Sequence, residues 1–203
     1  MKKLLGILVL GIFICTAPSQ ADDIRDFQIE GMSIGDSLLM YAEEKDIIEN
    51  MITDYKSNLY SRFTIKTKNS KKLDNFDDIQ FHFKTNDKKY IIASMSGGIY
   101  YINQFQECLI EKEKAIKEIL AILPNIKTND SGTVPWLKVD SSGKTITSSY
   151  YFNFASSDKF NDYIEVSCYD WNEDLLAGKR GSDHLKVAVR IKEYDKWLTE
   201  EAY

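Results

Sequence analysis

Gly31-Met32-Ser33-Ile34-Gly35 has the Gly-x-Ser-x-Gly spacing of a nucleophile elbow, and Gly35-Asp36-Ser37-Leu38 follows it on the shared glycine. Either serine would need a base to attack an acyl group. The chain offers two histidines, His82 and His184. An elbow at Ser33 also needs a buried strand, a sharp turn and a helix, whereas Gly31, Met32 and Ser33 look like an irregular lead-in after Asp26–Glu30. Ser37 with His184 as base is therefore the catalytic arrangement to weigh. Against it stands a structural role: Asp36 or Ser37 would cap a helix beginning at Leu38 by accepting from its free backbone N–H groups. The cap is the favoured reading.

Cysteine chemistry is the other option. Three cysteines are present, Cys15, Cys108 and Cys168. Cys108 shares a helical face with Phe105 and Leu109, and alternation in Tyr163–Trp171 puts Cys168 on the side of Ile164 and Val166. Both thiols then point into an interface between helix and sheet, which predicts a disulfide between them rather than a thiolate served by His184 and Asp183 or Asp170. His82 alternates away from Ile79, Phe81 and Phe83 and is expected to be solvated. No HxH, HExxH or CxxC spacing occurs, and Asp130 and Asp140 lack the spacing of a calcium loop, so no metal or cofactor is expected.

The elements that would position these groups follow from the patterning. Lys2 and Lys3 precede an apolar run from Leu4 to Ala17, and Ser19-Gln20-Ala21 supplies small residues for cleavage. Residues 1–21 are thus expected to be a signal peptide, with no lipobox at Cys15 and no transmembrane segment in the remaining chain. The product would be periplasmic or secreted from a Gram-negative bacterium. Its formal charge passes from −5 to −7 when Lys2 and Lys3 leave. An acidic balance spread along the chain excludes a nucleic-acid partner.

Residues 22–203 carry no linker and are expected to form one α+β domain. A helical reading starts at Ser37, and a second runs from Glu43 to Tyr55 with Ile47, Ile48, Met51 and Ile52 as its apolar side. Arg62–Lys66, Asp78–Lys84 and Lys89–Met95 read as strands, the third ended by Gly97-Gly98. A helix follows from Asn103 to Leu123, with Glu111 to Lys114, Lys117 and Glu118 on its polar side. After a loop rich in Asn, Asp, Ser and Gly, strands resume at Lys144–Phe154, Tyr163–Trp171 and His184–Ile191. A short amphipathic tail holds Tyr194, Trp197 and Leu198. The order ααβββ-αβββ-α predicts a helix layer packed on a mostly antiparallel sheet. Two α-then-βββ halves sharing one core fit the same order, although no residue-level repeat joins them.

Gly35–Leu38 resembles the first block of the GDSL, or SGNH, hydrolases, with Ser37 at the nucleophile position. That resemblance implies a Gly-x-Asn-Asp block and a base held by Asp-x-x-His. Here Lys84 and Lys127 stand where the glycine belongs, and Gly181 stands three before His184. The whole chain after the signal resembles a family of small uncharacterised exported proteins of marine alphaproteobacteria, carried by Asp26–Leu39, Asn86–Tyr101, Glu107-Cys108, Val166–Trp171 and Leu185–Leu198. This resemblance implies export and the paired cysteines, and no activity. More loosely, Gly31–Leu39 followed by helices and strands is similar to SmpA-type envelope domains.

Together these features predict a non-catalytic envelope or periplasmic binding protein, its partner another envelope protein. Twelve tyrosines and three tryptophans supply the interaction surface, for which Tyr100, Tyr101, Tyr150, Tyr151, Tyr169 and Trp171 are candidates. The alternatives are the esterase with Ser37 and His184, and a carrier of small apolar ligands in a pocket between helix layer and sheet.

Overall fold

The computed structural model describes residues 23–66, 73–154, 160–177 and 182–203. The expected signal segment 1–21, with Cys15, lies outside the described residues. The fold is α+β, as the element order predicts. After a 3-10 turn at Ile24–Asp26 comes a hairpin of β1 (Gln28–Ile29) and β2 (Met32–Ser33), followed by a second 3-10 turn at Leu38–Met40 and α1 (Glu44–Asn50). β3 (Tyr60–Lys66), β4 (Asp78–Lys84) and β5 (Ser94–Tyr100) precede α2 (Phe105–Ile122). β6 (Lys127–Pro135), β7 (Ile146–Asn153), β8 (Tyr163–Asp170), α3 (Glu173–Ala177), β9 (His184–Arg190) and α4 (Lys192–Glu200) complete the chain. Seven strands form one antiparallel sheet in the order β3-β4-β5-β9-β8-β7-β6.

Strict alternation gives the sheet two chemically different faces. Phe63, Phe81, Met95, Val187, Val189, Ile164, Val166 and Phe152 point to one side and are buried with the first hairpin, Leu38, Ile47 and α2. Cys108 of α2 and Cys168 of β8 are joined there by a disulfide, with Cα atoms 5.9 Å apart. A smaller core lies on the other face, where Tyr194 and Trp197 of α4 pack with Tyr60, Ala93 and Ala202. No described helix is long and apolar enough to cross a membrane.

Several expectations need correction. β5 begins at Ser94 and runs through Gly97-Gly98 instead of ending there. Tyr90 is at φ 49°, and Gly35 N–H and Leu38 N–H donate to Ile92 O and Tyr90 O, so 90–92 belongs to the N-terminal lead-in rather than to the strand. Gly97 is needed for space: a Cβ there would sit 2.4 Å from the Phe76 ring. β6 occupies much of the expected loop, as an edge strand exposed along its whole length. α1 stops at Asn50, and Ile52 bridges to Arg62, leaving Ile48 and Ile52 exposed. Lys112, expected on the polar side of α2, is 4% exposed and donates to Ser148 Oγ at 2.8 Å.

Candidate functional site

The hydrolase-like strings have conformational explanations. Glu30 and Gly31 are both at positive φ, 53° and 75°, and link β1 to β2 in a two-residue hairpin of the kind that demands such residues. Ser33 is therefore a strand residue of an antiparallel hairpin, and its N–H donates to Asp36 Oδ2 at 2.9 Å. Ser37 Oγ accepts from Leu39 N–H at 3.3 Å and donates to Lys89 O at 2.6 Å. Ser37 caps only the 3-10 turn, while Asp36 is held by Ser33 N–H and the Tyr41 hydroxyl. His184 sits on the opposite face of the sheet, stacked on Tyr169 at 4.8 Å with Nδ1 against Ser182 O. Asp183, the nearest acid in sequence, accepts from Asn103 N–H and Trp171 N–H instead.

The side chains that converge lie on the face turned away from α2. They surround a cleft of about 800 Å³, within the ordinary range of ligand sites. Every strand of the large sheet contributes to its floor, from Arg62 of β3 through His82, Ser96, Lys186, Glu165 and Ser149 to Ser131 of β6. α4 and Tyr203 form one wall and Val134, Trp136 and Val139 another, and Lys138 lies 5.8 Å over the Tyr203 ring where the two walls approach. The result is a trough across the strands.

Its centre is ionic. Lys186 pairs across the sheet with Ser167 and Arg190 with Tyr163, which sets Glu165 diagonally between the two cations. Glu165 Oε1 accepts from Lys186 Nζ at 2.9 Å, Ser167 Oγ at 2.6 Å and Tyr169 OH at 3.0 Å, while Arg190 reaches Oε2 at 3.2 Å. Burial alone would raise the Glu165 carboxyl, but the two cations and these hydrogen bonds hold it at about 2. Burial lowers Lys186 to about 8 against the pull of Glu165. Arg190 also donates to Tyr163 OH at 2.6 Å, which donates onward to Asp195 at 2.9 Å. Glu165 is therefore locked between its partners.

Aromatic clusters flank this centre. Trp136 lies 5.3 Å from Tyr169 and 5.5 Å from Trp171, and Tyr55 lies 4.9 Å from Trp197 and 5.7 Å from Tyr203. Asp140 organises the loop after Trp136 by accepting from Ser142, Thr145 and Asn172, so this wall has a fixed shape. The same contacts, led by the Ser142 hydroxyl, keep its carboxyl well below the usual range.

His82 is the plainest correction. It is 6% exposed, because α4 and Tyr55 cover the face expected to be open. Tyr55 OH lies 2.9 Å from its Nε2, and burial, followed by the charges of Arg190 and Arg62, lowers the ring to about 3. Of the six aromatics expected to form an interaction surface, Tyr151, Tyr169 and Trp171 line the trough. Tyr150 packs on Phe152 on the other face, Tyr101 joins the main core, and Tyr100 is exposed with its hydroxyl on Asp78. Glu165, Lys186 and Arg190 were not singled out by the sequence. Their signal was present as opposite charges at alternating positions of adjacent strands.

Among the described residues no group of three or more His, Cys, Asp and Glu side chains is placed to hold a metal ion. The chain matches no family model, no curated protein and no solved structure.

Proposed function

We propose that this is an exported, non-catalytic binding protein of the bacterial envelope, and that the trough is its binding surface. One observation carries the reading. Among the described residues, four side-chain polar atoms are buried without a hydrogen-bond partner, and three of them, Arg62 Nε, His82 Nδ1 and Trp171 Nε1, belong to residues lining the trough. Such atoms cost about 1–3 kcal/mol each, and their concentration around one cleft marks it as the place where the fold tolerates unsatisfied polar groups, as functional sites do. A protein or another component of the same compartment is the expected occupant.

The disulfide supports export, since such bonds persist in oxidising compartments. The engaged Ser37 hydroxyl supports a role without acyl chemistry. Carriage of an apolar ligand is less well supported, because Cys108, Ala115 and Ile119 meet Ile164, Val166 and Val187 where its cavity would have to be.

The test is the intact mass of periplasmically produced protein, before and after a fluorophosphonate probe, combined with titration of envelope fractions against tryptophan fluorescence. The expected product starts at Asp22, lacks two hydrogens relative to the reduced chain, takes no label and changes emission in a Trp136-dependent manner. Labelling lost in Ser37→Ala would overturn the reading, as would a fluorescence change indifferent to Trp136→Phe.

A further inference from the structure

Resting on the trough as the binding surface, we infer that its ligand is an acidic oligosaccharide, with sugar rings laid on the aromatic walls and a carboxylate directed at the Lys186 region. Shape is the first argument. At about 800 Å³ and lined from all seven strands, the cleft has room for more than one sugar ring.

Charge is the second argument. Arg62, Lys138, Lys186 and Arg190 line the trough against Glu165 and Asp195, and Arg62 is also paired with Asp54 at 2.8 Å, which leaves a local excess of one positive charge in a chain whose formal charge is −5. One carboxylate, Glu165, serves both Lys186 and Arg190, which leaves donor capacity for an incoming anion. Lys186 Nζ has three protons and two protein acceptors, Glu165 and Tyr169.

The lining chemistry is the third. Half-buried Tyr55, Trp136 and Tyr151 offer aromatic surface, and Ser96, Thr147 and Thr199 add hydroxyls able to donate and accept. Flat apolar faces interleaved with hydroxyls match a sugar ring, which has apolar faces and a hydroxyl rim. A peptide strand would instead seek a free sheet edge for its backbone. The trough floor consists of side chains.

The experiment is calorimetric titration with a galacturonate tetramer, a neutral β-linked glucose tetramer and tetraglutamate. The uronate tetramer is expected to bind roughly tenfold or more tighter than the neutral one, and less tightly as salt is raised. Lys186→Met and Trp136→Ala should each weaken it by a similar factor. Arg62→Gln, at a partly exposed side chain, serves if Lys186→Met fails to fold. Equal binding of neutral and acidic tetramers, or unchanged binding in the variants, would overturn the inference. Trp136-dependent binding of tetraglutamate alone would refute the glycan and leave the trough as a binding site; no binding of any probe, with envelope fractions also silent, would remove both.

Discussion

At the scale of single residues, the trough concentrates groups whose protonation differs between folded and unfolded chain. His82 is held at about 3, by burial and then by Arg190 and Arg62, against 6.5 for a free imidazole. Below pH 6.5 the unfolded chain takes a proton there that the folded chain refuses. The associated stability is thus complete above pH 6.5 and drains away as pH falls toward 3, with a limiting slope of about 1.4 kcal/mol per pH unit. Urea unfolding at pH 7 and pH 5 should show His82→Gln losing less stability over that interval than the native chain; parallel losses would contradict it. Glu165 acts in a lower window, because its depressed pKa of about 2 keeps its contribution intact above 4.5 and releases it between 4.5 and 2. Glu165→Gln leaves Lys186 and Arg190 without their shared carboxylate. It should cost about 3 kcal/mol in urea unfolding at pH 7.

At the scale of elements, legibility followed how strongly side-chain pattern alone specified each segment. β4 coincides with its expected bounds because Ile79, Phe81 and Phe83 alternate without interruption and are all fully buried. β5 was displaced because Gly97-Gly98 looked like punctuation, whereas Gly97 makes room for Phe76. Gly97→Ala should therefore destabilise by about 2 kcal/mol, and Phe76→Leu in the same chain should recover part of the loss. β6 was invisible because an edge strand exposed throughout needs no apolar alternation, and its Asn129, Asp130, Gly132 and Pro135 are turn formers that edge strands tolerate. The candidate site was hidden for a related reason. Glu165, Lys186 and His82 occupy the polar phase of their strands, and polar phase means solvent only until another element covers it. The paired cysteines were readable because both lie in apolar phase on elements with clear periods. Their bond closes a 60-residue separation, and a Cys108→Ala, Cys168→Ala chain should lose about 4 kcal/mol in the chain-entropy account. Urea midpoints with and without reductant measure it.

At the scale of the whole molecule, one sheet carries two unequal cores on opposite faces, and the trough lies on the second face with α4 as one of its walls. The main core ties α2 to β8 and β9 through buried apolar contacts and the disulfide. Among the described residues the second core holds five buried residues, with Trp197 and Tyr194 against Tyr60, and Trp197 Nε1 donating to Ser57 Oγ at 3.0 Å. Opening free energy scales with what a segment buries, so α4 should open without the rest of the sheet. In native-state hydrogen exchange, amides of α4 are expected to exchange through a sub-global opening, and those of β8 and β9 only through global unfolding. Trp197→Ala removes the largest buried side chain of that core, at a cost of about 3 kcal/mol or more. This corresponds to roughly a hundredfold faster exchange in α4. Because α4 supplies the trough wall at Tyr194, Leu198 and Thr199, the same variant should weaken whatever binds there while the Cys108–Cys168 region stays protected. If α4 and β8 exchanged at one common rate, before and after the substitution, the two cores would be a single cooperative unit and the wall could not move independently of its floor.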